Sequence, residues 1–319
     1  MTRRGQDGVT ELVMAEEMDN TLKVTRFPAA PGELRSPNCF LIGGIRCATT
    51  WLYATLAELP EVAVSLVEKE THFFNTHFDL GLEWYRNQFP RDSRARWVLD
   101  ATPSYLGSPE VPSRIQEYCP DARLIAILRS PVERAYSDYC RRLNHGELTP
   151  SIADELTIDS PMVQHGLYYE HLQRYLEHFP REQILVLLYD DLLADPVSFF
   201  NQVREFLGIS STLPESKLRG RVNETKPLKR WPFVHQVLRS GYHTMLHWPL
   251  LGPMALRLRR GNYLWAYHRL NQDRFADYPP LPEPLRLRLE DYYRDDLQAL
   301  SVWLGRDLSP WMAPVASEA

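Results

Sequence analysis

The chain is expected to adopt an α/β fold: a central parallel sheet flanked by helices, with a helical elaboration toward the C-terminal side. Three observations predict it. Short apolar runs alternate with longer stretches of helical periodicity, the pattern of strand–helix–strand units. Two of those runs, Leu124–Leu128 and Ile184–Leu188, are continuously apolar, as strands buried on both faces must be. The first run, Cys39–Gly43, ends in adjacent glycines and two threonines, a small-residue turn opening a helix.

The elements follow in order. Cys39–Gly43 is a strand and Thr49–Leu59 its helix; Trp97–Leu99 is a strand and Pro109–Tyr118 the next helix. Strand Leu124–Leu128 leads into the best-marked helix, Pro131–Asn144. Ser130 suits its N-cap, Pro131 its first position, and Glu133 completes a capping box. Val132, Tyr136, Tyr139 and Leu143 form its apolar stripe, and Ser137 lies off it. Helix His165–His178, strand Ile184–Leu188 and helix Pro196–Leu207 complete the alternation. Residues 1–35 are expected to be a flexible tail, 36–312 a single domain, and 313–319 a second tail. Between about 226 and 284 the chain turns basic and aromatic. That stretch is open to three readings: an acceptor-binding lid, a membrane-surface patch, or an amphipathic helical subdomain packed on the sheet.

Composition narrows the class. In 319 residues, 36 Lys and Arg against 41 Asp and Glu give a formal charge of −5, which argues against a nucleic-acid partner. The four cysteines, Cys39, Cys47, Cys119 and Cys140, form no CxxC pair, so neither a zinc site nor a disulfide framework is expected. The N-terminal stretch lacks the apolar core of a signal peptide, and no run of about eighteen apolar residues occurs. The expected location is the cytoplasm.

The chemistry concentrates in a few segments. Leu41 to Trp51 combines a turn, the hydroxyls of Thr49 and Thr50, and the cation Arg46. A helix N-terminus carries a partial positive charge and unpaired N–H groups, so this point is an anion cradle. It is not a nucleoside triphosphate loop, which needs a Gly-Lys pair, nor a dinucleotide fingerprint, whose glycines are spaced. On the loop alone, an ordinary strand–turn–helix junction is an equal reading. A second cation, Arg129, ends strand Leu124–Leu128, with Ser137 about two turns into the next helix. Both can point at one phosphate, Arg129 through charge-assisted bonds; the alternative is an ion pair of Arg129 with Glu133 or Asp138.

These segments resemble the sulfotransferases that use 3′-phosphoadenosine 5′-phosphosulfate (PAPS), in the bacterial and heparan-type branch. Ile42-Gly43-Gly44-Ile45-Arg46-Cys47-Ala48-Thr49-Thr50-Trp51-Leu52-Tyr53 is similar to the phosphosulfate loop I-G-x-x-K-C-G-T-T-x-L-Y, with Arg46 for Lys and Ala48 for Gly. Leu124 to Tyr139 resembles the 3′-phosphate motif L-I-x-I-L-R-[DNS]-P-V-x-R-A-x-S-x-[YW]. Lys69-Glu70-Thr71-His72-Phe73-Phe74 resembles K-E-x-H-F-F, Asp100-Ala101-Thr102-Pro103-Ser104-Tyr105-Leu106 resembles E-x-[ST]-P-x-Y-L, and Asn223-Glu224-Thr225-Lys226 resembles N-x-[ST]-K.

The resemblance implies a P-loop-like sheet and transfer of a sulfuryl group from PAPS to an acceptor hydroxyl or amine, releasing adenosine 3′,5′-bisphosphate (PAP), with no metal. It places Arg46, Cys47, Ala48, Thr49, Thr50 and Trp51 on the phosphosulfate, Arg129 and Ser137 on the 3′-phosphate, and Lys226, Lys229 and Arg230 over the adenosine phosphates. Arg46 would serve the leaving group, and Glu70 would be the general base with His72 assisting. His72 itself is the other candidate base, since an imidazole titrates near neutrality. Heparan-type members often carry Lys where this chain has Ala101, so the cationic work would fall more heavily on Arg46. A catalytically degenerate nucleotide-binding protein is the alternative function. The acceptor, whether small molecule, glycan or lipid, is not legible.

Overall fold

The computed structural model describes residues 36–90, 95–219 and 278–312. Within them a five-stranded parallel sheet forms the centre: β1 (Cys39–Gly43), β2 (Val62–Val64), β3 (Trp97–Asp100), β4 (Arg123–Leu128) and β5 (Ile184–Leu188). The order is β2-β3-β1-β4-β5. From β1 the chain goes to the edge strand β2, returns to lay β3 between β2 and β1, then crosses to the other side of β1 for β4 and β5. Such a reversal leaves a crevice at the carboxyl ends of the central strands.

Alternation along β1 assigns the two faces. Phe40 and Ile42 join one buried cluster; Cys39 and Leu41 join the other. Helices α1 (Thr49–Leu56), α2 (Val111–Tyr118), α3 (Pro131–Asn144), α4 (Tyr168–Leu176), α5 (Pro196–Leu207) and α6 (Glu283–Leu304) cover them. The Phe40 face is closed by Val111 and Ile115 of α2, Val132 and Tyr139 of α3, Leu172 and Tyr175 of α4, and a five-residue stripe of α6. The Cys39 face is closed by Trp51, Leu52 and Leu56 of α1 and by Phe199, Phe200, Val203 and Leu207 of α5.

Differences from the sequence reading are local. The edge strand β2 was not anticipated: three residues carry too little periodicity to stand out. The first helix stops at Leu56 rather than Leu59, and the second starts at Val111 rather than Pro109. The helix expected at His165–His178 is shorter, α4 covering Tyr168–Leu176, and a separate helical turn, Pro161–Gln164, precedes it. The capping of α3 is as expected, with the Ser130 hydroxyl accepting from the Glu133 N–H. Lys226, Lys229, Arg230 and nearly all of the expected elaboration at 226–284 lie outside the described residues.

Candidate active site

β1 delivers the first loop into the crevice. Its register against β4 shifts between Leu41 and Gly43, so the strand bends as it leaves the sheet. Gly43 is required there: a Cβ would stand 2.6 Å from Leu106 Cβ. The Leu106 N–H donates to the Ile42 carbonyl at 2.7 Å, which locks that approach. Beyond the glycines, Arg46 and Ala48 both adopt left-handed backbone, with φ of 65° and 60°. That conformation is unfavourable for residues with a Cβ, and alternating it with right-handed residues curls N–H groups into an anion-binding concavity. Ala48 caps α1 without a side-chain acceptor, and no acidic residue sits in its first turn. The helix start thus retains both donors and positive potential.

The second anion segment meets the first. Arg46 Nε donates to Ser137 Oγ at 3.3 Å. Arg46 is exposed, yet partial desolvation by its neighbours, then the charges of Arg141 and Arg129, push it below its ordinary pKa, while Asp138 opposes them. Arg129 and Arg141 thus add to the positive field around Arg46. Arg129 lies over the Tyr189 ring at 5.1 Å, with Nη2 3.8 Å from Glu133 Oε2. The anticipated ion pair with Glu133 is thus present, long and half-exposed, which leaves it worth little. Asp138 instead receives Arg141 and Arg142 at 3.2 and 3.3 Å. Burial would raise its carboxyl pKa, but the charges of Arg141, Arg142 and Arg134 outweigh that and hold it low.

On the other flank, the loop after β2 brings Lys69, Glu70 and His72 to the start of α1. Lys69 is 2% exposed, and its Nζ lies 3.1 Å from Thr49 Oγ1, 3.2 Å from Thr50 Oγ1 and 3.0 Å from Glu70 Oε1. Burial and then Arg46 lower the lysine's pKa, and Glu70 opposes them. The His72 Nε2 stands 3.5 Å from Glu70 Oε2, and Ser104 Oγ lies 3.2 Å from Nδ1. Beneath this loop, buried Asp100 accepts from Thr71, Thr102, Tyr85 and Tyr105 at 2.7–3.0 Å. Burial raises the Asp100 pKa and the four hydroxyls pull against it. Thr71 sits between Glu70 and His72, so this buried knot fixes the loop carrying both.

The expected residues thus divide. Arg46, Thr49, Thr50, Arg129, Ser137, Glu70 and His72 share one crevice. Cys47 and Trp51 turn their side chains into the core. The Cys47 thiol is fully buried, and burial raises its pKa to about 11. The Trp51 ring packs edge-on against Phe199 at 5.8 Å, so any role it has toward a nucleotide passes through its backbone. Ala48 contributes backbone shape alone. The Glu-Lys-Glu run is no surface patch, because Lys69 is buried. Nor does the cationic work fall on Arg46 alone, since Lys69 stands beside it where the chain lacks a lysine at Ala101. The missed signal was Lys69 itself, one position before the proposed base.

A family model described as Sulfotransferase domain matches residues 36–227. The chain belongs to the sulfotransferase family. Among curated sulfotransferases, heparan sulfate glucosamine 3-O-sulfotransferase 6 of Mus musculus is 32% identical over 283 residues, covering 86% of this chain and 74% of that protein. Heparan sulfate glucosamine 3-O-sulfotransferase 3B1 of Mus musculus is 32% identical over 229 residues, 69% of this chain and 57% of that protein. The chain spans about half the length of several curated relatives it matches. A solved sulfotransferase from Alicyclobacillus acidocaldarius superposes with a TM-score of 0.62 at 22% identity, over 87% of this chain and 99% of that one, and shares its fold.

Proposed function

We propose that this sulfotransferase moves the sulfuryl group of PAPS to an acceptor hydroxyl or amine, releasing PAP. The observation that carries the reading is the Arg46–Ser137 hydrogen bond. It ties the loop suited to a phosphosulfate to the helix suited to a 3′-phosphate, and so spaces two anion sites across one crevice. The residues fit such a donor: uncapped N–H groups, two hydroxyls, and the charges of Arg46, Arg129 and Arg141.

The donor supplies an activated sulfur whose bond to the phosphate oxygen breaks as the acceptor oxygen bonds to it. This chain's part is to hold, charge-balance and deprotonate. Arg46 and the start of α1 face the charge that builds on the departing phosphate oxygen, where fixed donors lower a barrier most. Glu70 takes the acceptor's proton and His72 steadies its second oxygen. The names of the relatives favour a sugar hydroxyl as the first acceptor class to try. A reducing, cytoplasmic location fits the four unpaired cysteines.

The degenerate alternative rests on Arg46, Ala48 and the lysine missing at Ala101. The first two do not disable the loop: Arg46 keeps its charge in place, and Ala48 accommodates the left-handed turn. The deciding experiment incubates the protein with 35S-labelled PAPS and a panel comprising a glucosamine oligosaccharide, a phenol and a long-chain alcohol. Label is expected on at least one acceptor, with stoichiometric PAP. PAP binding by calorimetry without label on any acceptor would instead favour the degenerate reading.

A further inference from the structure

Lys69 is a buried cation with three partners and three N–H groups. An ammonium donates and cannot accept. Both threonine hydroxyls must therefore present lone pairs to it, which turns their own protons away from the ammonium. Those hydroxyls open α1, whose N-cap adds no side-chain acceptor to compete for them. The third N–H engages Glu70 Oε1, leaving Oε2 on the His72 side. One ammonium thus sets the hydroxyls of the anion loop and the carboxylate of the base.

We infer that Lys69 is a positioning residue that couples the two halves of the reaction, aiming the Thr49 and Thr50 protons at the donor's phosphosulfate while holding Glu70 through Oε1, so that Oε2, beside His72, takes the acceptor's proton. This rests on the transfer reading above.

Replacing Lys69 by Met keeps length and apolar volume while removing the charge, and the Glu70 left behind is 28% exposed, so water rather than an apolar interior receives its carboxylate. In the full chain, Lys69→Met is expected to weaken PAP about tenfold by calorimetry, the worth of one good hydrogen bond. It is expected to lower kcat about a hundredfold or more with the acceptor labelled in the panel, while the unfolding temperature holds. Thr50→Ala, at an exposed position, is expected to weaken PAP by a similar factor. The double variant should lose little beyond either single change, because one interaction chain carries both. The inference is overturned if Lys69→Met keeps wild-type PAP affinity and turnover, or if the two losses multiply. If Lys69→Met does not fold, Thr50→Ala decides alone, and unchanged PAP affinity there overturns the inference. A wild-type protein that does not bind PAP sinks the transfer reading and this inference together.

Discussion

Arg46 and Glu70 are bound to different partners, Arg46 to Ser137 and Glu70 to Lys69. Their substitutions should therefore separate kinetically. Arg46→Ala removes a donor aimed at developing charge, and kcat is expected to fall about 100- to 1000-fold, as for loss of one oxyanion donor. Glu70→Gln preserves shape and removes proton-accepting power. Turnover is expected to drop about 100-fold or more while PAP affinity by calorimetry stays at the wild-type level. Equal losses of turnover and affinity in Glu70→Gln would show a structural role instead. At this scale the sequence was legible for position rather than role. It set an arginine just past a strand end and a glutamate beside a histidine, and the structure brings them to the two flanks of the start of α1. Lys69 escaped because a lysine between two glutamates looks solvated; it is buried with its ammonium on Thr49 and Thr50 of α1, a long-range contact that no local pattern marks. The side-chain direction of Trp51 escaped for the same reason, being set by Phe199 of α5 far along the chain.

At the level of elements, the junction of β1 and α1 carries the greatest constraint. Leu106 packs into the space that Gly43 leaves empty, and its N–H is bonded to the residue before. Neither side can withdraw without breaking the sheet-end contact. Gly43→Ala is expected to cost about 1–3 kcal/mol from overpacking, read as a lower thermal midpoint by several degrees. Its effect on donor affinity should be larger than that of an alanine placed on α2, because the displaced segment is the loop itself. Unchanged midpoint and affinity would contradict this account. Strand and helix identities here were readable from continuous apolar runs and from caps such as Ser130. The boundaries were less so. The helix expected from His165 begins only at Tyr168, just after Gly166 packs against the Tyr293 ring of α6, a contact the local sequence does not announce.

Across the whole molecule, the face covered by α3, α4 and α6 holds groups that must stay uncharged. His165 sits there, pressed against Gly107. Burial, then Arg134, lowers its pKa from 6.5 to about 4, with Asp138 opposing and His171 and Arg142 adding. A histidine depressed in the fold contributes its stability above the unfolded value and loses it as pH falls toward the folded value. The window is therefore pH 6.5 down to about 4. Between pH 7 and 5 the loss from this residue is on the order of 2 kcal/mol. Urea unfolding of His165→Gln should show a shallower decline over that interval than the wild type; parallel curves would refute the assignment. The doubly wound architecture was legible as a whole because alternation of strand and helix runs from 39 to 207. Where α6 packs is set by α3 and α4, contacts far along the chain that no local pattern marks.

That helix has a practical consequence for anyone preparing the protein. The match to the family model ends at residue 227, yet Leu285, Leu289, Tyr293, Leu297 and Leu300 are buried against the sheet's covering helices. A shortened clone stopping there would bare the greasy surface beneath α6 to water and should collect in inclusion bodies, whereas one running through Trp311 keeps the seal.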